Sequence, residues 1–302
     1  MNTKKILFFL LLVIAGFRSE SQDSLLRSLN DSLSVNQNTR YVSGTFKALY
    51  VVNLKTIEAP AAGALNVEIQ HRFGSLNSGG YNLFGLDNAT LRLGLDYGIT
   101  DRLAVGIGRS SFYKTYDAYL KFKLLRQTDH SMRMPVSVSL LGSVSYYADT
   151  SLGKKNISNS SRLSYTTQIM IARKFNSHFS LEIVPTFIHY NMVPVTGDKN
   201  NVFALAGGAR MKISNRMALT AEYDYLFPNQ LTSPTVNHSL SFGWDIETGG
   251  HVFQLVFSNS QFLTESQFIG QMPISINKGD IYFGFNISRN FNLKPHNKKT
   301  GS

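Results

Sequence analysis

From residue 64 onward apolar and polar residues take turns along the chain. Within 90–110, Leu91, Leu93, Leu95 and Tyr97 alternate with Arg92, Gly94 and Asp96. After a break at 99–102, Leu103, Val105 and Ile107 alternate with Ala104, Gly106 and Gly108. A strand sends successive side chains to opposite faces, so this stretch reads as a hairpin with one apolar face and one polar or small face. Asp101 supplies turn chemistry at the reversal. The same period predicts twelve strands: 64–73, the two arms of that hairpin, 116–125, 136–147, 163–175, 179–190, 202–213, 217–227, 238–248, 251–258 and 281–291. Most have the length that a tilted strand needs to cross a bilayer.

The connections sort by parity. Those after even strands are mostly tight (99–102, 176–178, 214–216, 249–250), with 126–135 the longer exception. Those after odd strands are mostly long and polar (74–89, 148–162, 191–201, 228–237, 259–280), with 111–115 short. Short periplasmic turns alternating with longer outer loops mark an outer-membrane barrel. Aromatic residues gather at both sets of strand ends, Tyr97, Phe175, Phe179 and Phe291 by the tight turns and Tyr116, Tyr146, Tyr165, Tyr190, Phe203 and Phe227 by the long loops, as interfacial girdles would. The expected fold is all-β: a transmembrane antiparallel up-and-down β-barrel of about 12 strands, with outer-membrane lipid around it.

The segments ahead of the strands read differently. Lys4 and Lys5 followed by apolar 6–16 form a secretory signal peptide, expected to span 1–21 with a cut before Gln22. Residues 22–43 are read as a periplasmic segment, either a short helix over 23–33 or disordered. The barrel domain is placed at 44–291. Its first stretch, 44–63, is apolar without sustained alternation and is read as a connector or plug tucked into the barrel mouth, with an additional strand as the alternative. A basic tail, 292–302, closes the chain.

The 302 residues suffice for one large all-β domain, and the chain has no cysteine, which removes disulfide and thiolate chemistry. The net charge of +11 is scattered and partly terminal, without a basic helix or RNA-binding motif, so nucleic acid is not an expected partner. The polar strand faces carry charges of both signs. The lumen candidates are Glu68, Arg72, Arg92, Asp96, Asp117, Lys121, Lys123, Arg210, Lys212, Glu222, Asp224, Asp245 and Glu247. Charges in a narrow lumen must pair or stay wet. They read either as ion pairs that stitch the interior or as the constriction of a pore or solute site. Arg210 and Lys212 precede Glu222 and Asp224, so neighbouring strands alternate in sign. His71, His189, His238 and His251 have no metal-ligand spacing, and no nucleophile elbow is present, so neither a metal, a cofactor nor a catalytic residue is assigned. Gly106-Ile107-Gly108 sits on a strand and is read as space for a large lumen neighbour. Two N-x-S matches, at Asn156 and Asn159, mark an exposed loop.

The runs Ile57-Glu58-Ala59-Pro60, Ile69-Gln70-His71-Arg72-Phe73-Gly74, Phe84-Gly85-Leu86-Asp87, Tyr97-Gly98-Ile99-Thr100-Asp101, Gly106-Ile107-Gly108-Arg109-Ser110 and His251-Val252-Phe253-Gln254-Leu255 resemble an uncharacterised β-barrel family of Bacteroidota outer membranes, over about 44–291. The resemblance implies the fold and the location and brings no activity with it. The leading functional expectation is a non-enzymatic small-solute channel or binding barrel. The alternatives are a structural or interaction barrel whose loops 74–89 and 259–280 meet a protein partner, and, more remotely, an outer-membrane lipid hydrolase.

Overall fold

The computed structural model describes residues 41–128, 134–149, 158–193, 197–232, 238–271 and 280–293. The expected leader, the helix over 23–33, the Asn156 site and the tail from 294 on fall outside the described residues. Among those described, twelve strands close into a barrel. They are β1 (Ala64–Ser75), β2 (Ala89–Gly98), β3 (Leu103–Ser110), β4 (Thr115–Leu125), β5 (Ser137–Tyr147) and β6 (Leu163–Lys174). Then come β7 (Phe179–Tyr190), β8 (Asn201–Lys212), β9 (Met217–Leu226), β10 (Ser239–Thr248), β11 (His251–Ser258) and β12 (Tyr282–Asn292). Each strand pairs antiparallel with its sequence neighbours, and β1 zips against β12 from Ala64↔Asn292 to Arg72↔Gly284. Full closure removes the unpaired edge that a spanning sheet cannot leave in hydrocarbon. The expected strand bounds agree to within a residue or two.

The alternation resolves into two faces. Leu93 and Leu95 of β2, Ile107 of β3, Leu120 and Phe122 of β4, Phe242 and Trp244 of β10 and Phe253 of β11 are exposed on the outside. Arg92, Asp96, Lys121 and Asp245 on the same strands, and Glu222 on β9, point inward and are buried. Apolar outside and polar inside is the reverse of a water-soluble sheet and fits a lipid surround. An apolar groove of about 710 Å³ on this outer wall, bordered by Val67, Ile69, Leu95, Ile107 and Ala118, belongs to that lipid face. Most of the girdle aromatics are exposed at strand ends, among them Tyr97, Phe175, Phe179, Tyr116, Tyr165, Phe203 and Phe227. Tyr190 is a correction: it shares parity with Glu182 on β7, points inward and is 2% exposed.

The lumen is filled. Residues 41–63 enter at the end of the barrel that carries the tight turns: Val42 N–H donates to Gln127 O, Lys174 Nζ to Ser43 O, and Gly63 N–H to Gly98 O. Inside, the segment folds back as a small hairpin, with Val51 N–H on Leu54 O, Thr56 N–H on Leu49 O and a bridge between Tyr50 and Lys55. Residues 259–270, expected to be an outer loop, instead turn inward from the opposite end. Phe262, Leu263, the helical turn Glu265–Phe268 and Ile269 are all buried. Together these two segments pack Phe46, Val51, Val52, Leu54, Ile57, Phe262, Phe268 and Ile269 against inward-facing Leu141, Met170, Val184, Ile188, Val202 and Ala206. The apolar filling lies mainly against β5 to β8, which also carry buried polar groups such as Gln168, Glu182 and Arg210, while β1, β2, β4 and β9 to β12 are more uniformly polar inside.

Candidate functional site

The polar wall meets the hairpin tip. Glu222 of β9 puts one carboxylate oxygen, Oε2, among three successive backbone N–H groups, those of Val52 (3.1 Å), Asn53 (2.8 Å) and Leu54 (2.8 Å). Such a run of N–H groups makes a concave anion seat. The tip carbonyls are taken from the other side: Gln254 Nε2 donates to Val51 O at 2.6 Å and Asn286 Nδ2 to Val52 O at 2.8 Å. Arg72 Nη2 donates to Asn53 Oδ1 at 2.7 Å, and Asn53 Nδ2 donates to Ser241 Oγ at 3.1 Å. Lower down, Glu182 Oε2 accepts from Ile57 N–H at 2.9 Å, and Lys121 Nζ donates to Thr56 O and Glu58 O at 2.8 and 2.7 Å. Many wall charges thus have the filling segment as partner rather than each other.

The two fillers touch. Lys55 Nζ on the hairpin and Glu265 Oε1 on the inward loop form an ion pair at 2.5 Å, with side chains 4% and 3% exposed. The Lys55 ammonium also lies over the rings of Tyr50 and Tyr119, 5.2 and 4.9 Å from their centroids. The loop is tied to the wall by Tyr190 Oη donating to Ser266 O, by a hydroxyl contact between Tyr147 and Ser266, and by Gln267 Nε2 on Thr115 Oγ1.

All thirteen lumen candidates lie on inward-facing positions, and the structure divides them into several groups. Arg92 and Asp117 form a two-point pair (Nε–Oδ1 2.9 Å, Nη2–Oδ2 2.5 Å), and Arg92 also reaches the Tyr50 hydroxyl. Asp96 accepts from Tyr119 and Asn66, and Glu68 is buried beside Asn66. Arg210 pairs with Glu247 at 2.8 Å and stands 3.7 Å from Asp245, while Lys47 of the filling segment reaches Glu247 at 3.2 Å. Arg72, Lys121 and Glu222 serve the hairpin, whereas Lys123 and Lys212 are partly exposed at the turn end. Asp224 is buried and accepts from no protein donor. The opposite charges of β8 and β9 do not face one another. Glu222 stands across from Gly208 and Arg210 from Thr220, so Arg210 looks past β9 to β10.

Gly106 and Gly108 do make room. A Cβ at Gly106 would meet the Tyr119 ring, and one at Gly108 would meet the Arg92 guanidinium. His189, His238 and His251 sit at strand ends and His71 within β1: His71 and His251 lie against phenylalanine rings, His189 on Asn201 and beside Tyr165, His238 on the Leu226 N–H and the Tyr225 ring. Among the described residues no group of three or more His, Cys, Asp or Glu is placed to hold a metal ion. The sequence reading sets 44–63 apart as a connector or plug, from apolar residues such as Phe46 and Leu49 without sustained alternation; it misses the inward loop, whose available signal is Phe262, Leu263, Phe268 and Ile269 without a strand partner.

A closed twelve-strand barrel with a lipid-type exterior and polar interior defines a membrane-spanning β-barrel protein. Residues 46–291 match the membrane bound beta barrel domain family (DUF5777), and the chain belongs to that family. Among solved structures it is similar to the NanC porin, with a TM-score of 0.50 and 10% identity over 74% of this chain and 98% of that one. It is also similar to the KdgM porin (TM-score 0.46, 8% identity, 75% and 99% covered). An outer membrane channel from Pseudomonas putida F1 shows a TM-score of 0.43 at 13% identity, with 78% and 97% covered. At these identities the likeness is one of fold. No curated protein matches the chain.

Proposed function

We propose that this protein is an outer-membrane small-solute channel or binding barrel that rests closed, with the tight turns on the periplasmic side. The hairpin at 49–56 is its inner stopper and the loop at 259–270 its outer one. The observation that carries the reading is how the stopper is held. Glu222, Glu182, Lys121 and Arg72 are ionisable wall groups whose partners are backbone or amide groups of the hairpin. A permanently solid interior is served as well or better by apolar side chains. Wall charges that bond a separable segment leave a hydrated, mixed-charge lumen when that segment withdraws.

The chain has no cysteine of its own, which allows a clean lock. Val51 Cγ2 stands 2.6 Å from the position of a Cβ on Gly208. The double substitution Val51→Cys with Gly208→Cys ties the hairpin to β8 on oxidation. In liposome-swelling assays with small solutes, the reduced protein is expected to be permeable and the oxidised protein tight. Flux that ignores the lock, or no flux in either state, would sink the reading.

A second reading, an interaction barrel, rests on the loop after β1. There Tyr81, Leu83, Phe84 and Leu86 are exposed at the outer end, with Leu83 and Phe84 at positive φ. Strained, exposed apolar residues on a loop mark a contact site. Tyr81→Ser with Phe84→Ser would release a bound partner while leaving swelling unchanged.

A further inference from the structure

One buried charge has no role in holding the fillers. Asp224 on β9 is 1% exposed, and neither of its carboxylate oxygens has a hydrogen-bond partner. Its neighbours are the Glu222 carboxylate, two positions back on the same face, and Ser239, directly opposite in the β9–β10 register. Glu222 Oε1 is also without a partner, because the three hairpin N–H groups converge on Oε2. Ser239 Oγ, 1% exposed, is a third group left open, and it is not acidic. Among the described residues neither acid takes part in an ion pair. On the far side of Asp224, β8 presents only Ala206, which adds no bulk.

Two adjacent carboxylates in a buried site are strongly unfavourable unless something neutralises them. The three hairpin N–H groups converge on Glu222 Oε2 alone, so any compensation for Asp224 has to come beside it. We propose that Asp224, Glu222 and Ser239 form an oxygen-ligand site for a partly hydrated divalent cation of the calcium class. Two Asp224 oxygens, Glu222 Oε1 and the Ser239 hydroxyl supply the protein ligands. Water completes the shell, as is usual for calcium, which takes oxygen donors in flexible numbers. Because Glu222 also seats the hairpin tip, the cation would brace the wall against which the stopper closes. The site itself stands whether or not the lumen conducts.

The test uses the full chain, refolded in detergent and stripped of metal with a chelator, and titrates calcium chloride by calorimetry alongside thermal melts. The expected result is one calcium per chain and a higher melting temperature with calcium. Asp224→Asn abolishes both effects, and Ser239→Ala weakens binding about tenfold, the lower end of what loss of a supporting group costs a metal site. Asp101→Asn, an exposed turn residue, binds as the unaltered chain does. Asp224→Asn removes a buried charge and is expected to melt cooperatively without metal, so its failure to bind is not a failure to fold. Two outcomes would overturn the proposal. One is that the stripped protein takes up no calcium and melts unchanged in its presence, the behaviour of two carboxyls sharing a proton. The other is that Asp224→Asn binds as well as the parent.

Discussion

Replacing Glu265 by Gln takes the acid out of the contact between the two fillers and leaves Lys55 in place. The lysine is then a buried cation without its counter-charge, since the pair is 4% and 3% exposed and lies where hairpin and loop meet. Breaking a buried pair by removing one partner costs about 3–5 kcal/mol. The low end applies here, because the rings of Tyr50 and Tyr119 still face the ammonium and such contacts are worth about 1 kcal/mol each. A loss of about 3 kcal/mol from the closed state alone, at about 1.4 kcal/mol per tenfold, lowers the closed-to-open ratio about a hundredfold. Single-channel recording of the full chain in planar bilayers reads this directly as open probability. The double substitution Lys55→Met with Glu265→Leu is the informative companion. An apolar pair of similar volume is often as stable as a buried ion pair, so closure is expected to return. If Glu265→Gln opens no more often than the parent, the contact does not hold the barrel shut and the gating argument fails.

Three further outcomes follow from other parts of the molecule. Leu95→Arg places a charge on the lipid side of β2 and is expected to cost about 2–4 kcal/mol in urea unfolding from vesicles; a neutral result would mean that this face does not see hydrocarbon. Gly108→Val drives a side chain into the Arg92 guanidinium, which must shift and strain its pairing with Asp117, so the melting temperature is expected to fall. Gly142→Ala, with open space around its Cβ, is the matched control, expected within about 0.5 kcal/mol of the parent. Tyr190→Phe removes the hydroxyl that donates to Ser266 O, worth about 1 kcal/mol, and should speed proteolysis within 259–271 about fivefold; unchanged cleavage would show that the tether is idle.

The barrel was legible because its signal is local. Each of Leu91, Leu93, Leu95 and Tyr97 announces its face relative to a neighbour one position away, and loop length announces the end of the barrel. The interior was less so, because its contacts are distant in sequence. Nothing in the region of Glu222 points to Val52, Asn53 and Leu54, some 170 positions earlier. Two signals were available and are physical. Counting parity from Glu182 puts Tyr190 inside, whatever its aromatic character argues. The run Ile169-Met170-Ile171-Ala172 on β6 is apolar on both faces, which is what a strand between lipid outside and packed filling inside requires. The partners of Arg210 were not legible, because the β8–β9 register that sets Gly208 against Glu222 is not written in either strand alone.

The stopper hairpin lies just ahead of β1, the inward loop belongs to the connection from β11 to β12, and it is β1 and β12 that join to close the cylinder. Each filler is therefore tethered next to one lip of the seam. Laying both down while the lips stand apart spares each a search for its seat through the barrel mouth, and the ring then shuts around them. Assembly of this protein becomes a matter of sequence in time: packing first, zipping last, with a chain that loses its hairpin expected to insert with an unlatched seam.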